Sequence, residues 1–317
     1  MSRIDGAGGP PQRLIQRALG AGSDHPSMRC PFLEHAGHRR WCQHCGGGAG
    51  RVNWGHVSVG AGTEDEQVRP TDWFIPLSDP DRAVGHVCAL PQAGGGATAF
   101  AALADELGPD ITVWALNLPG RQARFGEPTR TDLDPLLDDL AGAFPHPAPM
   151  LLFGYCSGAL LAFLLAHRLH HHGHRAPDAL MVASYPAPDR AEPARSTHRL
   201  PGEQFWSEIL SYGGVPERIA AQSDFREIFE PALRADYELL SGYHHRDVAP
   251  LPLPITTIAG AADPVLRTAD VDRWRAHTTG PFRSETIDGD HWLLENSPRR
   301  VADLVRASLP RTTTAPR

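Results

Sequence analysis

One ten-residue stretch, Met150 to Ala159, limits what this chain can fold into more than any other. A short apolar run, Met150-Leu151-Leu152-Phe153, ends in Gly154-Tyr155-Cys156-Ser157-Gly158. The run from Ala159 to Ala166 that follows reads as a buried helix. Strand, sharp turn and helix in that order form the context of the G-x-S-x-G nucleophile elbow. The central residue of such a turn is strained, and strand and helix pass close together. Only small residues fit two places before it and two after. Centring the turn on Ser157 would put Tyr155 at one of those places, where it does not fit. Centring it on Cys156 puts Gly154 and Gly158 there. Cys156 is therefore the expected nucleophile, at a helix N-terminus whose dipole favours the thiolate. The alternative is a buried structural cysteine in an ordinary turn.

The 317 residues suit about two domains, or one α/β domain with extensions, and can bury a large core. The net charge of −7 gives no reason to expect nucleic acid as a partner. Every basic side chain apart from histidine is arginine, which, with abundant Ala, Gly and Pro, reads as coding bias. The five cysteines are an odd number. Neither a signal peptide nor an apolar run of about 18 residues is visible, so no membrane partner is expected. A reducing cytoplasm follows as the expected location, with Cys156 available as a thiol.

Residues 1–70 are Gly-rich and polar, with little to bury, and are expected to be a disordered extension. Their one chemical feature is Cys30, His35, His38, Cys42 and Cys45. Cys42 and Cys45 have the spacing of half a zinc knuckle, but the other half is irregular. No metal is assigned, and Cys30, Cys42 and Cys45 remain a weak zinc candidate. A start of the working protein downstream of this segment is the bland alternative.

Residues 71–312 read as one domain, followed by a loose tail over 313–317. Expected strands are Val84–Leu90, Ile111–Leu116, the elbow strand, Ala179–Ala183, Ile255–Ala259 and Phe282–Ile287. Helices are expected at about 97–107, from a Thr131 cap to about 144, after the elbow, from a Thr268 cap to about 277, and from Pro298 to about 309. Strands alternating with helices predict a mostly parallel sheet covered on both faces. Residues 200–246 break the alternation with amphipathic helices, 202–212 and 224–243, and are expected to form a lid.

Three candidates lie after strands in the chain order nucleophile, acid, histidine. Cys156 would attack a carbonyl, His291 would take and return the proton, and Asp263 would hold the imidazole tautomer. Asp263 could also be a plain turn residue. Of the 17 histidines, His167, His170, His171, His172 and His174 cluster at what reads as a solvated helix end, and His244 and His245 have no evident partner. The expected oxyanion donors are the backbone N–H groups of Ala93 and Ser157. Gln92, Tyr155 and Trp292, beside these residues, are the expected substrate contacts.

On these residues the chain resembles the type II thioesterases of non-ribosomal peptide and polyketide assembly lines. The resemblance runs from about residue 72 to 310. It is carried by Pro91-Gln92-Ala93-Gly94-Gly95, Leu118-Pro119-Gly120-Arg121, Arg124-Phe125-Gly126-Glu127-Pro128 and Phe153-Gly154-Tyr155-Cys156-Ser157-Gly158. Pro231-Ala232-Leu233-Arg234-Ala235-Asp236-Tyr237, Gly260-Ala261-Ala262-Asp263, the run from His277 to Phe282 and Gly289-Asp290-His291 add to it. It implies an α/β-hydrolase fold with a helical lid. It also implies a substrate whose acyl group hangs on the phosphopantetheine arm of an acyl or peptidyl carrier protein. No cofactor of the protein's own and a monomeric state are expected.

The departures from the family are Gln92 for a usual His, Tyr155-Cys156-Ser157 for His-Ser-Met, and Asp290 for a Gly. A serine enzyme turns a thioester into an oxygen ester, a downhill step. A cysteine enzyme exchanges one thioester for another, and the acyl group stays activated. Relatives with Cys at this place include aminoacyl shuttles between carriers and product-releasing domains. Three readings stay open: hydrolytic thioesterase, acyltransferase or cyclase, and a non-catalytic carrier-binding protein.

Overall fold

The computed structural model describes residues 73–193, 196–211, 213, 215 and 223–310. The expected N-terminal extension, the zinc candidate Cys30, Cys42 and Cys45, and the tail 313–317 lie outside the described residues.

Seven strands form one sheet: β1 (Phe74–Pro76), β2 (Gly85–Leu90), β3 (Ile111–Leu116), β4 (Met150–Tyr155), β5 (Ala179–Ala183), β6 (Ile255–Gly260) and β7 (Phe282–Ile287). Their order is β1-β3-β2-β4-β5-β6-β7. Every neighbouring pair is parallel except β1 with β3. Five helices follow strands on the two faces: α1 (Ala101–Leu107), α2 (Leu133–Gly142), α3 (Ser157–His171), α6 (Thr268–Asp272) and α8 (Pro298–Ser308). The insertion carries α4 (Gly202–Ser211) and α5 (Ser223–Ser241), and α7 (Leu293–Asn296) is a single turn before α8. This is the expected α/β-hydrolase architecture.

The apolar runs of the strands have one cause. A parallel sheet covered on both faces has no solvated side, so successive residues must all be apolar. In β4, Leu152 packs on one face with Leu136, Leu140 and Leu165, while Leu151 and Phe153 pack on the other with Leu103, Val301 and Val305. Helix α3 has nine buried residues, so it reads as continuously hydrophobic.

The site lies where the winding changes direction. From β2 the chain crosses to β3 on one side, then returns to β4 on the other side of β2. The carboxyl ends of β2 and β4 are therefore adjacent, with Leu90 opposite Gly154, and the crevice beyond them is the natural ligand position in an open α/β sheet.

Several local expectations shift. Strand β1 was not legible in the sequence; it is a three-residue antiparallel edge strand. Residues 97–100 form a 3₁₀ turn ahead of α1. Asp132 rather than Thr131 occupies the N-cap of α2, and Arg267 rather than Thr268 that of α6, neither with a side-chain capping bond. The stretch read as one helix to residue 277 is α6 followed by a 3₁₀ segment, Arg273–His277. Among the described residues, no helix is long and apolar enough to cross a membrane.

Glycine is required where α3 meets the sheet. A Cβ on Gly154 would stand 2.4 Å from the Ala159 Cα, and one on Gly158 would stand 2.3 Å from the Leu90 carbonyl oxygen. Both obstacles are backbone, which cannot rotate away. Gly158→Ala should therefore destabilise the domain by about 3 kcal/mol or more, measured by urea denaturation.

Candidate active site

Cys156 stands between β4 and α3 with φ +51° and ψ −126°. A non-glycine residue held there is strained, and the surroundings must fix it. They do: its N–H donates to the Ala183 carbonyl at 2.8 Å, and its own carbonyl accepts from Ala159 N–H at 2.8 Å. The side chain is thereby lifted off the sheet edge, half-buried, at the N-terminus of α3.

Asp263 and His291 come from the loops after β6 and β7. Gly260 brings those loops together, since a Cβ there would lie 2.2 Å from the Asp290 carbonyl oxygen. Asp263 Oδ2 accepts from His291 Nδ1 at 2.9 Å. Its other oxygen, Oδ1, accepts backbone N–H groups of Val265 at 2.9 Å and Leu266 at 3.2 Å. The carboxylate side chain is only 1% exposed. Burial alone would raise its pKa, but the bonds from His291, Val265 and Leu266 and the charge of His291 hold it below the ordinary value. Asp263 is thus an ionised acceptor that fixes one imidazole nitrogen.

The other side of His291 faces Cys156. Burial works to lower the imidazole pKa. Negative charge on Cys156, hydrogen bonds with Asp263 and Cys156, and the charge of Asp263 outweigh it and raise the pKa to about 10. Beside a charged sulfur the imidazole therefore holds its proton, between Cys156 and the Asp263 carboxylate.

The family model described as a thioesterase domain matches residues 85–309. The chain belongs to the thioesterase family. It is 34% identical over 241 residues to the thioesterase PikA5 of Streptomyces venezuelae, covering 75% of this chain and 85% of that protein. Among solved structures it is similar to RedJ, a thioesterase from the prodiginine pathway of Streptomyces coelicolor. That match has 30% identity and a TM-score of 0.67, over 73% of this chain and 88% of the other. It is also similar to BorB, a type II thioesterase from the borrelidin biosynthetic cluster, with 31% identity and a TM-score of 0.68 over 77% of this chain and all of the other. The protein is accordingly a hydrolase of thioesters, of the type II kind that serves non-ribosomal peptide and polyketide biosynthesis.

Within this thioesterase the other expected site residues divide. Ala93 lies on the loop after β2, and Ser157 is the first residue of α3. Among the described residues neither backbone N–H has an internal acceptor. Trp292 is half-buried, its ring 5.6 Å from that of His291 and edge-on to it. Gln92 folds back over its own loop against Gly95, with Oε1 buried and unpartnered.

Tyr155 is a correction. It was expected to touch substrate, yet it is fully buried on the same sheet face as Leu151 and Phe153. Its hydroxyl donates to the His291 carbonyl at 2.7 Å, and the Ser184 hydroxyl donates to the same oxygen at 3.1 Å. Burial, with the charges of Glu295 and Cys156, pushes the phenol pKa up, so it stays a donor. Tyr155 and Ser184 anchor the backbone that carries His291. Asp290, unusual for the family, accepts the Trp292 N–H at 2.8 Å and ties down the following turn.

The thioesterase also holds a contact that no spacing in the sequence announces. Arg121 and Asp236 form a buried two-pronged ion pair, at 2.6 and 2.7 Å. Asp236 also accepts the Gly94 N–H at 2.7 Å, and Arg121 donates to the Gly95 carbonyl at 3.0 Å. Helix α5 is thus bonded to the loop that carries Ala93.

The histidines other than His291 are not all solvated. His170, His171, His172 and His174 are exposed as expected, but His167 is half-buried. Burial and the nearby His171, His170 and His277 lower its pKa to about 4. His245, expected to stand alone, meets the Tyr243 hydroxyl at 3.3 Å. A cavity of about 710 Å³ between α2, α3 and the end of α5 is lined by His167, His171, Tyr243 and His245 but by none of Cys156, Asp263 or His291. Among the described residues no group of three or more potential ligands could hold a metal ion.

Two outcomes are expected. Removing the sulfur by Cys156→Ala takes away the largest influence raising the His291 pKa while burial still lowers it. The imidazole should then lose its proton well below pH 10, read from its ring carbons by NMR titration. Asp236→Ala leaves the Arg121 guanidinium buried and unpaired, and should cost about 3–5 kcal/mol in a denaturation experiment.

Proposed function

We propose that this thioesterase works through a Cys156–His291–Asp263 triad on acyl groups carried by the phosphopantetheine arm of an acyl or peptidyl carrier protein. The observation that carries the reading is Cys156, strained at φ +51° on the elbow, beside an imidazole that Asp263 fixes from its other side.

The Cys156 sulfur attacks the thioester carbonyl. The negative oxygen that forms is held by the N–H groups of Ala93 and Ser157. The carbon–sulfur bond to the pantetheine arm breaks, and the departing sulfur takes the proton from His291. The products are an acyl-S-Cys156 intermediate and a free carrier thiol. His291 is now neutral, in the state needed for the second half. It removes a proton from water, which attacks the intermediate, and the acyl group leaves as a carboxylic acid. Asp263 stays ionised throughout and holds the tautomer. The insertion, residues 200–246, acts as the lid over this site. The protein needs no cofactor of its own and acts as a monomer.

One observation favours a second reading. With sulfur as the nucleophile, the acyl group remains a thioester, so a carrier thiol or an amine in place of water would give transfer or cyclisation. The Asp263–His291 bond argues against a non-catalytic carrier-binding protein, which has no use for a fixed tautomer.

Intact-protein mass spectrometry tests the proposal. The native enzyme is mixed with acyl-loaded carrier and a second, empty holo-carrier. An acyl adduct on the native enzyme, absent from Cys156→Ala, with free acid accumulating, is expected. Movement of the adduct to the empty carrier would establish the transfer reading. Equal deacylation by Cys156→Ala would overturn the triad.

A further inference from the structure

The turn that carries Ala93 is held by side chains from distant parts of the chain. Gln92, Ala93, Gly94 and Gly95 form it, and the Gly95 N–H closes it on the Gln92 carbonyl at 2.9 Å. Gly94, in third place, has φ +70°, while Ala93 has the ordinary negative sign, so the turn is type II. Type II and type I turns differ by a flip of the central peptide, here the one between Ala93 and Gly94. Asp236 accepts the N–H of that peptide at 2.7 Å and so decides which way it faces. Leu233, three residues earlier on the same face of α5, lies against Gly94, where a Cβ would stand 3.0 Å from the leucine Cδ1. At the far end of the turn Arg121 donates to the Gly95 carbonyl at 3.0 Å.

These holds reach the Ala93 N–H. In a trans peptide the N–H and C=O point in opposite directions. The Gln92 carbonyl points into the turn, toward the Gly95 N–H, so the Ala93 N–H on the same peptide points out of it. Its direction depends on the turn keeping its type. One carboxylate oxygen, Oδ2, serves both Arg121 at 2.6 Å and the Gly94 N–H, and the second Arg121 bond at 2.7 Å fixes the other oxygen. The guanidinium therefore holds Asp236 where the turn needs its acceptor.

We infer that Asp236 is a positioning residue for the proposed reaction: held by Arg121, it fixes the type of the turn and thereby aims the Ala93 N–H at the oxygen that becomes negative during acyl transfer. The inference rests on the proposed role of Ala93 as an oxyanion donor. Helix α5 then contributes to rate and not only to the fold.

The test uses the full chain and the butyryl thioester of N-acetylcysteamine, with kcat and KM taken per folded enzyme. Asp236→Ala is expected to lower kcat about 10-fold with KM within about 3-fold, the pattern of a lost transition-state interaction. Arg121→Met combined with Asp236→Leu leaves no buried charge unpaired, which guards against a variant that fails to fold, and it should show the same fall. Iodoacetamide alkylates Cys156 by displacing iodide from a saturated carbon, so no oxyanion forms. That rate, followed on the Cys156 peptide by mass spectrometry, should stay within about 2-fold of native in both variants. Ala93→Pro suits the second place of a type II turn and removes the N–H itself, so it should lower kcat at least as far. Native kcat in the double variant, or alkylation that falls along with turnover, would overturn the inference. Native kcat in Ala93→Pro would sink the oxyanion reading instead, and butyrate release that persists in Cys156→Ala the acyl-acceptor reading, which keeps the failures apart.

Discussion

The site depends on a backbone contact. Strand β4 and helix α3 pass so close that a single Cβ at Gly154 or Gly158 would enter neighbouring main chain. That contact forces the intervening residue into a strained conformation and lifts its side chain clear of the sheet. It also fixes where the first N–H of α3 points, and it seats α3 against the end of β2, whose loop carries Ala93. The position of Cys156, the direction of the Ser157 N–H and the neighbouring loop thus share one cause. A comparable contact at Gly260 locks the two loops that hold Asp263 and His291.

Electrostatics then gives the sulfur its setting. Burial of His291 would favour a neutral imidazole, yet charge on Cys156 and Asp263 overrides it. Asp263 can act because its own charge is stabilised by two backbone N–H groups and one imidazole N–H, with almost no solvent. Tyr155 and Ser184 hold the imidazole from behind, through its main chain rather than its ring. The ring is thereby held in place between Cys156 and Asp263.

Much of this was legible in the sequence because the constraints are local. A covered parallel strand must be apolar throughout, so β2 to β5 announce themselves. Gly154 and Gly158 frame Cys156, and Asp263 and His291 follow strands in the expected order. Strand β1 escaped because three edge residues carry no period. Tyr155 was misread as a substrate contact, although strand parity holds the answer: residues 151, 153 and 155 share a face, and the first two are core. The caps of α2 and α6 moved by one residue because neither is made by a side-chain bond. The Arg121–Asp236 pair was invisible, since the partners stand 115 positions apart and only the fold brings them together.

That ion pair has a mechanical consequence. Helix α5 belongs to the insertion, yet it grips the Ala93 loop through Asp236, the Gly94 N–H and Arg121. Swinging α5 outward would separate a buried guanidinium from its carboxylate and pull on the Ala93 loop at the same moment. Helix α4 is tied to α5 in turn, with Phe205, Trp206 and Ile209 packed beside Leu233 and the Trp206 indole donating to Glu230 at 2.6 Å, so both helices and that loop would have to shift together.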